Sequence, residues 1–308
     1  MTQARPFPWT RAGSAGAANT GAPARLRAAA ETAAAALPAL MLSAERLAMA
    51  LQPGAHGLRR AGQGEDFWQY RAAAPGDSMR QIDWRRSARS DATFVREREL
   101  HTAQSAVLWV SGAAGMDWTG DPARPTKRAR AELIALALAL VLLRGGEKVA
   151  MSGALPQAGR GQADRIAHDL LGRTGPAPAT DTPSGADLRP LRRVVLIGDF
   201  LSDPAPVAAY LSAAAAQGVG GAVLQVLDPD EESFPYTGAV RFHAPGAGAA
   251  RHDTRNADAL RALYLDRLDA QRQALSRAAN AAGWRFGTHE TGAAPGQALM
   301  WLYGALAG

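Results

Sequence analysis

Beyond about Ala103, short β-branched or apolar runs alternate with longer alanine–leucine stretches, the pattern of parallel strands joined by helices. Strands are expected at Ala106–Val110, Lys148–Ser152, Arg193–Ile197, Gly221–Leu227 and Trp284–Gly287. Helices are expected at Lys127–Arg144, Gln162–Leu171, Pro204–Gln217, Asn256–Ala282 and Pro295–Leu306. Gly145-Gly146 and Gly218 stand where C-terminal caps belong. In the longest helix Leu260, Leu263, Tyr264, Leu268, Leu275 and Ala279 recur at helical spacing and should cover the sheet. Arg173 to Pro190 reads as a loop on the ligand side of such a sheet, and Ala239–His243 as a short extended insert forming an edge hairpin.

Upstream the pattern differs. Residues 1–24 are rich in Gly, Ala, Pro and Ser and have little to bury, which predicts a mobile tail. Arg25 to Leu51 is helical in composition, with Pro38 dividing two pieces and Pro53-Gly54 ending the second. Residues 56–101 are dense in arginine, acid and aromatic residues and short of long apolar runs. Three units are therefore expected: a tail over 1–24, a helical lead-in with an Arg/Asp-rich module over 25–102, and an α/β domain over 103–308.

A chain of 308 residues, 47% hydrophobic and 20% charged, can bury a substantial core. The absence of cysteine excludes a disulfide framework, a cysteine-held metal and a thiol nucleophile. Arginine supplies nearly all of the positive charge, since Lys127 and Lys148 are the only lysines, and the net +6 is spread without a polybasic tract. No nucleic-acid partner is expected on that basis. The longest apolar run, Leu133–Leu143, falls short of the ~20 residues of a membrane-spanning helix, and no signal-peptide pattern opens the chain. A cytoplasmic protein without a membrane span is expected.

The least ordinary stretch is GDSMRQIDWRRSAR at 76–89. Asp77, Arg80, Asp83, Arg86 and Arg89 fall three apart, so a helix would place acids and guanidiniums on one face. Such a lattice can pin a small module or present arginines to an acidic partner. The aromatics Phe67, Trp68, Tyr70 and Trp84 are read as that module's core in preference to stacking platforms for bases.

Together, His56-Gly57-Leu58-Arg59-Arg60, Gly62-Gln63-Gly64-Glu65-Asp66-Phe67, Arg71, Pro75-Gly76-Asp77, Arg80, Ile82-Asp83-Trp84 and Ser87-Ala88-Arg89 strongly resemble the domain of unknown function 58 family. The resemblance continues through Phe94-Val95-Arg96-Glu97. It implies a small β-rich or irregular motif region joined to a von Willebrand factor A-like, Rossmann-like α/β domain. It also implies work beside a MoxR-type AAA+ ATPase, and with other von Willebrand factor A-type proteins. Arg71, Gly76, Asp77, Arg80, Asp83, Trp84 and Arg89 become the candidate partner-binding residues.

In A-like domains the loop after the first strand supplies a carboxylate and two hydroxyls to Mg²⁺. Here the matching positions are Ser111, Ala113 and Gly115, leaving one hydroxyl and no carboxylate, although Asp199 survives after a later strand. Thr174, Thr180 or Thr182 could add a hydroxyl, and Asp117 or Asp121 a nearby acid. This is a degenerate site, so no cofactor is expected.

Three functional classes follow. The preferred one is a non-enzymatic binding or adaptor protein working with the ATPase in protein complex assembly or maturation. A metal-dependent phosphoester hydrolase or nuclease built on Glu65, Asp66, Asp77 and Asp83, with Arg80, Arg86 and Arg89 on the phosphate, is the enzyme alternative. A nucleic-acid-binding protein is the third. The six histidines form no metal-spaced pair, no Gly-Lys-Ser or Gly-Lys-Thr follows the glycines of 57–64, and Ser111 lacks a nucleophile-elbow context.

Overall fold

A computed structural model describes residues 38–50, 58–74, 78–79, 82–89, 92–102, 104–159, 161–172, 182–183, 185–243 and 251–307. The expected tail, the stop at Pro53-Gly54, Gly76, Asp77 and Arg80, and most of the 173–190 loop with Thr174 and Thr180 lie outside these residues. So do the side chains of Glu65, Asp66, Phe67, Trp68 and Arg71.

Five parallel strands form the central sheet: β3 (Ser105–Val110), β4 (Lys148–Met151), β5 (Arg192–Gly198), β6 (Gly220–Leu227) and β9 (Arg285–Glu290), in the order β4-β3-β5-β6-β9. The helices are α3 (Lys127–Arg144), α4 (Gly161–Leu171), α5 (Ala205–Ala216), α7 (Asp258–Ala281) and α8 (Pro295–Ala307). This is the mixed α/β, Rossmann-like architecture expected from the alternation. The inner strands are continuous apolar runs because both of their faces are covered.

Pleating divides β3 between two cores. Ala106, Leu108 and Val110 face α3, α4 and α8, whereas Val107 and Trp109 face Phe200, Val207, Tyr210 and Trp284. Helix α3 is buried nearly all round, from Ala131 to Leu142, and starts on Thr126, whose hydroxyl accepts from the Ala129 amide at 3.1 Å. A helix at 38–49, α1, adds Ala44 and Ala48 to the same core, its first residue being Pro38. In α7, Leu268, Leu275 and Ala279 are buried as expected, but Leu263 is half exposed.

The polar segment upstream is built on a pair of strands. Leu58–Ala72 (β1) and Phe94–Thr102 (β2) pair antiparallel, with register breaks between Gly62 and Gln69. The hydrophobic pattern does not point to these strands, because neither run alternates cleanly, but a β-rich motif region is what the family resemblance implies. The helical lattice across 77–89 is also corrected: within the described part only Trp84–Ser87 (α2) is α-helical. Ile82 bridges Val95, and the Asp83 amide donates to the Phe94 carbonyl at 2.9 Å, so strand pairing holds the chain extended up to the cap. The insert at 239–243 is extended as expected, but it pairs with a strand beyond that segment in a separate two-stranded sheet, β7 (Val240–His243) against β8 (Arg251–Thr254).

Candidate functional site

The direction in which strands are added reverses between β3 and β5, and an open α/β sheet carries its crevice beyond the C-terminal ends of such a pair. Ser111 leaves β3 and Asp199 leaves β5 at that point, both buried. The registered pair Val110–Ile197 brings these two candidate residues to adjacent strand ends. Ser111 is turned to its own loop, its hydroxyl accepting from the Ala113 amide at 3.2 Å. Gly115 lies in the 3₁₀ turn Ala114–Asp117, whose Met116 is fully buried.

The space beside Asp199 is occupied by a cation of the chain itself. Lys127, the first residue of α3, is 1% exposed and donates to Asp199 Oδ2 at 2.8 Å and Glu231 Oε1 at 2.6 Å. Glu231 belongs to α6 (Pro229–Ser233), where its other oxygen accepts from the Asp228 amide at 3.0 Å in a capping box. Burial pushes the Glu231 carboxyl above the usual carboxylate range, and the Lys127 charge opposes that shift.

Asp228 is fully buried and its carboxylate is saturated. Oδ1 accepts from Arg124 at 3.0 Å and from the Asp230 amide at 2.9 Å, while Oδ2 accepts from Thr291 at 3.1 Å and Thr119 at 3.3 Å. Arg124 also reaches Asp230 at 2.8 Å. Arg128 spans the β3 loop, donating to the carbonyls of Ser111, Gly112 and Ala113 at 3.2–3.4 Å and pairing with Asp117. Gln225 donates to the Asp199 carbonyl at 2.9 Å and accepts from Arg272, which also pairs with Glu232.

Neither Asp117 nor Asp121 substitutes for the missing metal ligands. Asp117 is held by Arg128, and Asp121 accepts from the Ala123 amide at 2.9 Å within its own turn. Thr182 makes no hydrogen bond to Asp199 among the described residues. Nor is any group of three or more His, Asp or Glu placed to hold a metal ion among them. The degenerate set fits a divalent ion poorly: one hydroxyl and one carboxylate, the latter already bonded to an ammonium.

Below this network, Arg130 donates to the carbonyls of Thr291 at 2.6 Å and Ala293 at 2.9 Å. Burial, with the Arg130 charge second, pushes His289 down to about 4.

The other candidate residues lie in the motif segment. Asp83 caps α2, accepting from the Arg86 amide at 3.0 Å and from the Tyr70 hydroxyl at 3.1 Å. The Arg86 guanidinium lies 4.4 Å from the Tyr70 ring centroid and 5.3 Å from that of Phe94. Trp84 corrects the expected aromatic core, being 57% exposed beside exposed Arg85 and Arg89. The small interior instead contains Val95, with Tyr70 and Phe94 half-buried.

Sequence reasoning missed Lys127, Arg124, Arg128, Asp228 and Glu231. Two signals pointed to them: one of only two lysines opening a helix, and Asp228-Pro-Asp-Glu, a capping-box pattern directly after a strand.

No curated protein matches the chain. Among solved structures, an aerotolerance-related membrane protein from Bacteroides fragilis, carrying multiple mutations to serine, is 14% identical with a TM-score of 0.39, covering 66% of this chain and 98% of its own. The conserved hypothetical protein BatB from Bacteroides thetaiotaomicron is 13% identical with a TM-score of 0.39, covering 67% of this chain and 99% of its own. No helix among the described residues is long and apolar enough to cross a membrane. The model of the protein of unknown function DUF58 family matches residues 69–274, from the capped motif segment through the crevice network to α7, and the chain belongs to that family.

Proposed function

We propose that the protein is a non-enzymatic, cytoplasmic adaptor that docks a MoxR-type AAA+ ATPase through its Arg/Asp-rich module during assembly or maturation of a protein complex. The observation that carries this reading is the state of the crevice. Asp199, Glu231, Asp228 and Asp230, the acids gathered at the crevice, are each bonded to Lys127 or Arg124. At α2, by contrast, Trp84, Arg85 and Arg89 are exposed, and tryptophan and arginine are the residues most often found to dominate protein interfaces. The 25–102 module then serves as the docking unit and the α/β part as its scaffold, with α1 packed into the α/β core through Ala44 and Ala48.

The test is affinity capture on the full chain from native lysate, with and without a slowly hydrolysed ATP analogue. Recovery of a MoxR-type ATPase, weakened by Arg89→Glu at unchanged melting temperature, supports the adaptor. Recovery of none in either condition counts against it. The same preparation, assayed on phosphoesters with Mg²⁺ and Mn²⁺, addresses the hydrolase alternative: turnover abolished by Asp83→Ala would establish it. Nucleic-acid binding would show affinity that falls steeply with salt.

A further inference from the structure

The ammonium of Lys127 sits where the fold would place a ligand, between two carboxylates supplied by different loops, and it is almost entirely removed from solvent. The choice of side chain is informative. Thirty-two of the 34 basic residues are arginines, since only Lys127 and Lys148 are lysines. A guanidinium is a broad planar fork, whereas an ammonium is a compact point charge with three donors and can lie between two carboxylates much as a small metal ion does. The Trp118 ring, its centroid 5.9 Å from Nζ, adds an aromatic wall. Each neighbouring acid already has its own cation, Arg124 for Asp228 and Asp230, Arg128 for Asp117 and Arg272 for Glu232.

We infer that Lys127 is a tethered cation standing in for a bound one: it fixes the loop after β5 to the first turn of α6, so that the crevice is set without any divalent ion. The site beneath it takes a small primary ammonium, and α3 delivers that group covalently. Because one charge faces two carboxylates 72 and 104 residues away in sequence, its loss leaves a buried and a half-buried acid opposed without their shared cation. This inference does not depend on the ATPase reading, and its test uses no partner.

The full chain is melted with EDTA, Mg²⁺ or Mn²⁺, and Mn²⁺ binding is followed by electron paramagnetic resonance. The wild-type protein should melt at one temperature in all three and bind no stoichiometric Mn²⁺. Lys127→Ala should lose on the order of 10 °C. Ethylammonium or propylammonium should restore part of that loss, whereas tetramethylammonium, which has no N–H to donate, should not. If Lys127→Ala does not fold, the neutral triple variant Lys127→Met, Asp199→Asn, Glu231→Gln decides, because removing the whole charge set together should return a folded protein. The inference is overturned by one-to-one Mn²⁺ binding to the wild type that Asp199→Asn abolishes, or by a Lys127→Ala variant that melts like the wild type. It is equally overturned by a folded Lys127→Ala variant that no primary ammonium rescues, or, where Lys127→Ala does not fold, by a triple variant that also fails to fold.

Discussion

Two tryptophans mark the contrast between the regions of this molecule. Trp284, before β9, is 1% exposed, donates to the Val219 carbonyl at 2.9 Å and packs edge-on against Tyr210. Trp84, on α2, is 57% exposed. The charged residues divide in the same way. At the sheet's C-terminal edge Lys127, Asp199, Asp228 and Glu231 are enclosed and paired, while Arg85 and Arg89 in the motif segment face solvent and make no ion pair among the described residues. Similar residue types thus hold one region closed and leave the other available, and burial is what separates the two.

The contrast is broken most sharply by truncating the indoles. Trp284→Ala should lose about 3–5 kcal/mol of unfolding free energy in a denaturant titration, because it opens a cavity and orphans a buried carbonyl. Trp84→Ala should stay within about 0.5 kcal/mol of the wild type. Equal losses at the two positions would erase the distinction.

Asp228→Ala should cost about 3 kcal/mol or more, since it strips partners from Arg124, Thr119 and Thr291 at once. A double-mutant cycle with Arg124→Ala would show coupling, because part of that cost is the loss of one of the guanidinium's two carboxylate partners. Simple additivity would mean that the two residues act separately.

A pH titration of stability gives a smaller effect. His289 is held down to about 4 from an ordinary 6.5, so between those values the unfolded chain binds the proton more readily than the folded one. Stability should therefore fall as pH drops from about 6.5 toward 4, by up to about 3 kcal/mol from this group. His289→Gln should flatten that part of the profile. An unchanged slope would show that the ring is hydrated in solution.

The smallest effect on stability falls within the sheet. Gly287→Ala places a methyl carbon 2.7 Å from the Trp301 ring, and repacking should cost about 1–3 kcal/mol, whereas Ala substitution at exposed Arg85 should be silent.

Much of the α/β part was legible because its information is local. Helix α3, Lys127–Arg144, follows from an apolar run and the glycine pair that ends it, and the five strands from short apolar runs between turns. The crevice was legible only at its strand ends, Ser111 and Asp199. The groups that fill it come from α3 and α6, and no spacing rule joins Lys127 to residues 72 and 104 positions away. The motif segment misled for a different reason: three-residue spacing of charges suits a helix, but pairing of Ile82 with Val95 is a tertiary contact that overrides it. Exposure of Trp84 could not be read at all, since a large aromatic in a short polar segment is more often its core.

The most direct measurement is a calorimetric titration of the full chain with a purified MoxR-type ATPase from the same cell, in an ATP analogue, comparing wild type with the Trp84→Ala, Arg89→Glu double variant. Saturable binding that weakens at least about tenfold in the variant, at an unchanged melting temperature, is the predicted result. Absence of binding by the wild-type chain with and without nucleotide would contradict the account.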